Sequence, residues 1–306
     1  MDEVPDFALS FRGMRVVLSL VVSVYALGSF PRSAAQVVTA SDWKLIVLGV
    51  AQDGGIPHLQ CTRDVCAQVR AGKRHPEKVA SIGVVNSRTG QTVLFDATPD
   101  LPAQVHALTG GRPPDRIFLT HAHIGHYTGL MYLGREAIGA KEVPVFATER
   151  MVSFLRANGP WSLLVSNRNI ALQSIELNRA VDVGPGLRVT AFPVPHRDEF
   201  TDTVGYRIEG PRATAVYVPD TDRWETWKTG IRDLAETADL AFLDGTFASP
   251  SEVQGRDISE IPHPMMSVTR KLLAGVRARV WFIHINHTNA ELDARDVVRE
   301  GMSFEL

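Results

Sequence analysis

The sequence predicts an α/β (α+β) fold, and three observations carry the prediction. Short β-rich apolar runs alternate with helical patterns along nearly the whole length. Two pairs of runs are joined by tight turns, Ser87-Arg88-Thr89-Gly90 and Gly210-Pro211-Arg212, and read as hairpins. A hydrophobic content of 44% over 306 residues supplies a large core, as one big domain or two smaller ones. There is no repeat of solenoid period and no low-complexity linker.

Residues 1–35 are expected to stand outside this fold as a secretory signal. Arg12 and Arg15 precede an apolar run over 16–27, then Gly28, Pro31 and the small residues Ser33-Ala34-Ala35, which gives a charged, an apolar and a cleavage region in order. The run is short for a membrane span. Cleavage after Ala35 places the domain, 42–306, in the periplasm or outside the cell without stable membrane association; an uncleaved anchor is the alternative.

Strands are predicted over 43–48, 80–86, 92–96, 116–119, 143–147, 171–177, 187–192, 203–209, 214–218, 240–243 and 279–283, with a last edge strand at 304–306. Helices are predicted over 101–108, 130–137, 149–158, 265–274 and 293–300. After the first strand, Gly54-Gly55 marks a turn needing positive φ or a close approach, which suits the rim of a site; no phosphate-cradling GxxxxGK[ST] is present. Asp100 is expected to cap the helix after it. Asp96 either caps or accepts a hydrogen bond from a metal-bound His. The stretch 159–169 reads as irregular, and 249–264 as a loop able to cover a site.

With 32 basic and 34 acidic residues and no basic run, the charge gives no footprint for nucleic acid, so a small-molecule substrate is expected. Cys61 and Cys66 favour a local disulfide in an oxidising compartment, with half of a structural zinc site, completed by His58 or His75, as the alternative.

Chemistry concentrates at 120–129, where His121, His123 and His126 hold three of the chain's ten histidines at a strand-to-helix junction. Imidazoles at i and i+2 of an extended segment point to one side, and a third at a helix start can turn back to them. That is metal-ligand spacing. Other strands end in His196, Asp220, Asp244 and His284; Asp220 either bridges two metals or caps a helix from Arg223 onward. Side chains at one edge of a sheet converge although distant in sequence, and nitrogen and oxygen donors alone suit zinc, iron or manganese.

Through these residues the chain resembles the metallo-β-lactamase superfamily, whose signature is HxHxDH, then a distant His, a bridging Asp and a last His. It looks most like the coenzyme PQQ synthesis protein B group, in Leu48-Gly49 leading to Gly54-Gly55-Ile56-Pro57, in Asp244-Gly245-Thr246-Phe247 and in Ile283-His284-Ile285-Asn286-His287-Thr288-Asn289. The resemblance implies a four-layer αββα sandwich with one or two zinc ions at one edge, iron or manganese being possible substitutes. It implies that His121, His123 and His196 hold a first metal, and His126, Asp220 and His284 a second, with Asp220 between them. The motif Asp is Gly125 here, which removes a carboxylate from the second position.

The expected reaction is hydrolysis of an ester, lactone, amide or phosphodiester by a metal-bound hydroxide. Asp220 or Asp244 then orients the nucleophile. His263 and His287 protonate the leaving group or bind an anionic substrate, or else support a ligand from behind. Residues 160–161 and 249–264 are expected to line the pocket. An iron-dependent oxygenase related to PQQ biosynthesis and a non-catalytic metal- or ligand-binding protein are the alternatives.

Overall fold

Burial along the strands explains the architecture. β3 (Thr92–Phe95), β10 (Thr214–Val218) and β11 (Leu240–Asp244) are buried at nearly every position, so the sheets they belong to must be covered on both faces. The computed structural model describes residues 42–227, 230–253 and 261–306, and the leader expected over 1–35 lies outside them. No helix of the described residues is long and apolar enough to cross a membrane.

One seven-stranded sheet runs in the order β13 (Ser303–Glu305), β1 (Trp43–Gly49), β2 (Ser81–Asn86), β3, β4 (Arg116–Phe118), β5 (Val143–Ala147), β6 (Ile170–Ser174). It is antiparallel from β13 to β3 and parallel from β3 to β6. A six-stranded sheet runs β12 (Arg279–Ile283), β11, β10, β9 (Val204–Glu209), β8 (Leu187–Pro193), β7 (Ala180–Gly184), with β12, β11 and β10 parallel and the rest antiparallel.

Three apolar layers separate four structural ones. Between the sheets lie Trp43, Leu45, Phe95, Phe118, Tyr206 and Phe242. Outside the first sheet, Leu94, Ile117 and Val145 pack under Leu101 of α2 (Leu101–Thr109) and Met151 and Leu155 of α4 (Glu149–Ala157). Outside the second, Val216, Val218 and Leu243 pack under Ile231 and Ala235 of α6 (Ile231–Glu236). This is the αββα sandwich expected.

The parallel registers position the site. Phe95 pairs with Phe118, so β3 and β4 end side by side; Val218 pairs with Leu243 and Asp244 with Ile283, so β10, β11 and β12 end together. The carboxyl ends of parallel strands share one edge, and the residues after them meet there.

Several expectations need correction. The helix expected over 130–137 begins earlier, as α3 (Ile124–Tyr127), and continues as a 3₁₀ segment, Thr128–Leu133. The stretch 159–169 contains α5 (Trp161–Ser166), and α1 (Asp64–Arg70) was not foreseen. No helix forms over 293–300. Turns hold it instead, with Arg270 pairing to Asp296 and Phe282 N donating to Asp296 O. Cys61 and Cys66 are free thiols in the inter-sheet core, and burial, then the neighbouring Cys61, pushes the Cys66 thiol up. Neither belongs to a metal-ligating group among the described residues.

Candidate metal centre

Each element delivers its ligand at a strand end. Past β4, Thr120 is held by Asp96, whose Oδ1 accepts from Thr120 N at 2.8 Å and from Thr120 Oγ1 at 2.9 Å. That anchor sets the backbone from which His121 and His123 turn inward, their Nε2 and Nδ1 atoms 2.8 Å apart. His196 follows β8, Asp220 follows β10 and His284 follows β12; the sheets bring all of them to one cluster with His126 of α3.

Asp220 is its centre. Its Oδ2 lies 3.2 Å from His196 Nε2, 3.4 Å from His121 Nε2, 3.8 Å from His123 Nδ1 and His126 Nε2, and 4.0 Å from His284 Nε2. Ring nitrogens facing one another this closely cannot all carry protons, and their lone pairs repel unless a cation lies between them. Around a tetrahedral zinc with bonds of about 2.0–2.1 Å, ligand atoms are separated by roughly 3.3 Å. The His121, His123, His196 and Asp220 set, with His123 Nδ1 3.3 Å from His196 Nε2, matches that spacing.

The opposite nitrogen of every one of these rings is tethered. His126 Nδ1 donates to Asp96 Oδ2 at 2.8 Å, and His196 Nδ1 to Asp222 Oδ1 at 3.0 Å. His121 Nδ1 meets Thr120 Oγ1 at 2.9 Å, His284 Nδ1 meets Thr246 Oγ1 at 3.0 Å, and His123 Nε2 meets Glu199 Oε2 at 3.1 Å. Such partners fix tautomer and ring orientation, as supports behind metal ligands do. Asp96 therefore bonds a histidine of the cluster and the Thr120 backbone rather than capping a helix. Asp100 sits at the cap position but its carboxylate accepts from Val79 N. His284 and Asp96 both adopt left-handed φ, 62° and 65°, a conformation uncommon outside glycine.

Burial disfavours charge throughout, yet proximity wins for most groups. Asp220 stays well below the ordinary carboxylate range because His196, His284 and His263 outweigh its burial. His196 is desolvated, but Asp220, then Asp222, pushes it up to about 10. His121 goes the other way: burial and then the neighbouring His126 hold it neutral.

The remaining candidates separate. Asp244 is fully engaged, accepting from Thr246 N at 2.8 Å, Thr221 N at 3.2 Å and His263 Nδ1 at 2.8 Å. It holds His263 and stands with Asp220, His263 and His284 in a further group whose ligand-capable atoms lie within 4.8 Å of one another. Asp220 Oδ1 makes no hydrogen bond. His263 also lines a pocket of about 380 Å³ with Arg197, Phe247, Asn286, His58 and His287. His287 is outside the cluster and stacks on His58 at 4.2 Å, so it belongs to the pocket wall. Of 249–264, residues Ile261, Pro262 and His263 line this pocket and 254–260 lie outside the described residues, whereas Trp161 packs on Tyr127 instead.

Sequence reasoning missed Asp53, whose Oδ1 lies 3.5 Å from His126 Nε2 and 3.8 Å from His284 Nε2. Burial opposes its charge, but the nearby His126 and His284 rings hold its carboxyl far below the usual range. The signal available was the Gln52-Asp53-Gly54-Gly55 turn together with the carboxylate missing at 125.

A family model described as Beta-lactamase superfamily domain matches residues 91–285. Coenzyme PQQ synthesis protein B of Ectopseudomonas mendocina is 30% identical over 85% of this chain and 99% of its own. The crystal structure of Zn²⁺-bound PqqB from Methylobacterium extorquens superposes with a TM-score of 0.72 at 24% identity, over 86% of this chain and all of that one. A diphosphatase from the PhnP family superposes at 0.64 and 22% identity, covering 86% and 97%.

Proposed function

Since the chain belongs to the β-lactamase superfamily and, within it, groups with coenzyme PQQ synthesis protein B, we propose that it is a metal-dependent hydrolase of a small-molecule ester, lactone, amide or phosphodiester. The observation that carries this reading is the convergence of five imidazoles on Asp220 Oδ2 beside a pocket that His263 shares. His121, His123, His196 and Asp220 would hold a divalent ion, for which the donor set favours zinc. When bound, the ion supplies a Lewis acid and a water whose pKa falls to about 7.

The chain's own residues do the rest. Asp220 Oδ1, 3.2 Å from His263 Nδ1, would accept a hydrogen bond from the attacking water and orient it. Asp244 holds His263 Nδ1, which leaves the ring's other nitrogen to donate a proton to the leaving group. Arg197 and Asn286 offer donors to an anionic or carbonyl-bearing substrate in the pocket. The test is a panel of esters, lactones, amides and phosphodiesters on the zinc-reconstituted protein. Turnover that a chelator abolishes and zinc restores supports the reading, and a metal-replete protein inert on every class opposes it.

One observation favours a second reading. Asp53, His126 and His284 form a two-His, one-carboxylate set, the donor combination of non-haem iron oxygenases. Oxygen uptake by the iron-loaded protein distinguishes the two.

A further inference from the structure

Gly125 stands inside α3, where glycine weakens a helix, so its presence needs a local reason. A Cβ at 125 would lie 2.0 Å from Asp53 Oδ1 and 2.8 Å from Asp53 Cα. The space a side chain at 125 would fill is taken by the Asp53 carboxylate. We propose that Asp53 supplies, from a distant turn, the carboxylate absent from position 125, and completes a second divalent-metal position with His126, His284 and Asp220. This rests on the metal-centre reading but not on hydrolysis.

Four further observations support it. Asp53 Oδ1, His126 Nε2 and His284 Nε2 are buried and make no hydrogen bond, an expensive arrangement for polar atoms unless a cation satisfies them. The Asp53 turn is fixed to the second sheet's exit: Ile285 N donates to Val50 O at 2.8 Å and Gln52 N to Ile285 O at 2.9 Å, so Asp53 and His284 are positioned by the same ladder. Gly55 N closes the turn on Gln52 O at 2.8 Å, with Gly55 at a φ of 65° that glycine adopts freely. Asp53 also precedes the stretch, 91–285, that carries the family match, so the ligand is recruited from outside the motif-bearing segment. Gly125 is thus not a lost ligand; it is the room made for another.

The experiment is equilibrium dialysis of the full chain against zinc, with bound metal counted by elemental analysis and no substrate present. The wild type binds two equivalents. Asp53→Asn keeps the first and weakens the second at least about 100-fold, the upper end of what loss of a supporting partner costs. Gly125→Ala does the same by displacing the Asp53 carboxylate. In Asp53→Ala the truncated side chain leaves a gap, and millimolar formate restores the second equivalent there but not in Asp53→Asn, whose amide fills it. Two tight equivalents in Asp53→Asn, or the loss of both, overturns the proposal. A hydrolytically inert protein with this pattern of metal counts retains the inference and loses only the proposed reaction.

Discussion

His263 Nδ1 lies 2.8 Å from Asp244 Oδ2, and the same ring lines the pocket beside the metal centre. A carboxylate behind an imidazole fixes its tautomer and keeps it protonated. His263→Ala is expected to lower kcat by about 10²- to 10⁴-fold, the usual contribution of a general acid, with metal content unchanged. Steady-state kinetics with parallel elemental analysis checks this; loss of metal in the variant would make His263 a ligand instead.

The same pair sets a pH limit. Burial depresses the His263 imidazolium, but Asp244 and then Asp220 raise it above its ordinary value. The protonated ring thus persists above pH 6.5 and is lost as pH rises through the raised value. Asp244→Asn removes the larger of these two supports, so the alkaline limb of the kcat profile moves to lower pH. An unmoved limb assigns the acid elsewhere.

Metal uptake is expected to release protons. In the metal-free protein His196 is pushed up to about 10, against 6.5 unperturbed. Because the folded value exceeds the unfolded one, this group's contribution to stability is complete below pH 6.5 and disappears as pH climbs towards 10. The Tm of chelator-treated protein should fall across that window while apparent metal affinity rises. Titration calorimetry in two buffers of different ionisation enthalpy measures the protons, and identical heats in both would contradict the expectation.

Asp96 acts on His126 from behind. Its carboxylate is fully buried and accepts from Thr120 N, Thr120 Oγ1 and His126 Nδ1. Asp96→Asn keeps the shape but presents an amide to the ring, and metal affinity should drop about 10- to 100-fold, as for other such partners. Competition with a chromogenic chelator reads it directly.

How much of this was legible in the sequence depends on how local the cause is. Strands over 143–147, 214–218 and 279–283 have the predicted ends, because apolar β-rich runs bounded by turn residues need no tertiary information. β7 was missed: Asp182 interrupts its short edge run, and only pairing with β8 makes it a strand. His121, His196 and His284 could be read because each follows a strand, and one sheet edge gathers strand ends. Asp53 was harder to read, since beyond the turn at 52–55 its place depends on a bridge between Ala51 and Ile285, far apart in the chain. The free cysteines were misjudged because their spacing suggests pairing, whereas both thiols are absorbed into the inter-sheet core.

The core beneath the site should be intolerant of truncation. Phe118 is fully buried, stacks on Phe146 at 4.7 Å and lies edge-on to Tyr206 at 5.6 Å, just before the histidine segment. Phe118→Ala is expected to cost about 3–5 kcal/mol. Denaturant unfolding measures this, and a cost under about 1 kcal/mol would show that the layer repacks without loss.

The most direct test is the metal content of the protein as isolated and of Asp220→Asn, measured by elemental analysis after exhaustive dialysis. If Asp220 is the shared centre of five imidazoles, the wild type retains a divalent metal and the variant, still folded by circular dichroism, loses it. A wild type that binds no divalent metal, or a variant that holds as much as the wild type, would contradict a metal centre built on Asp220.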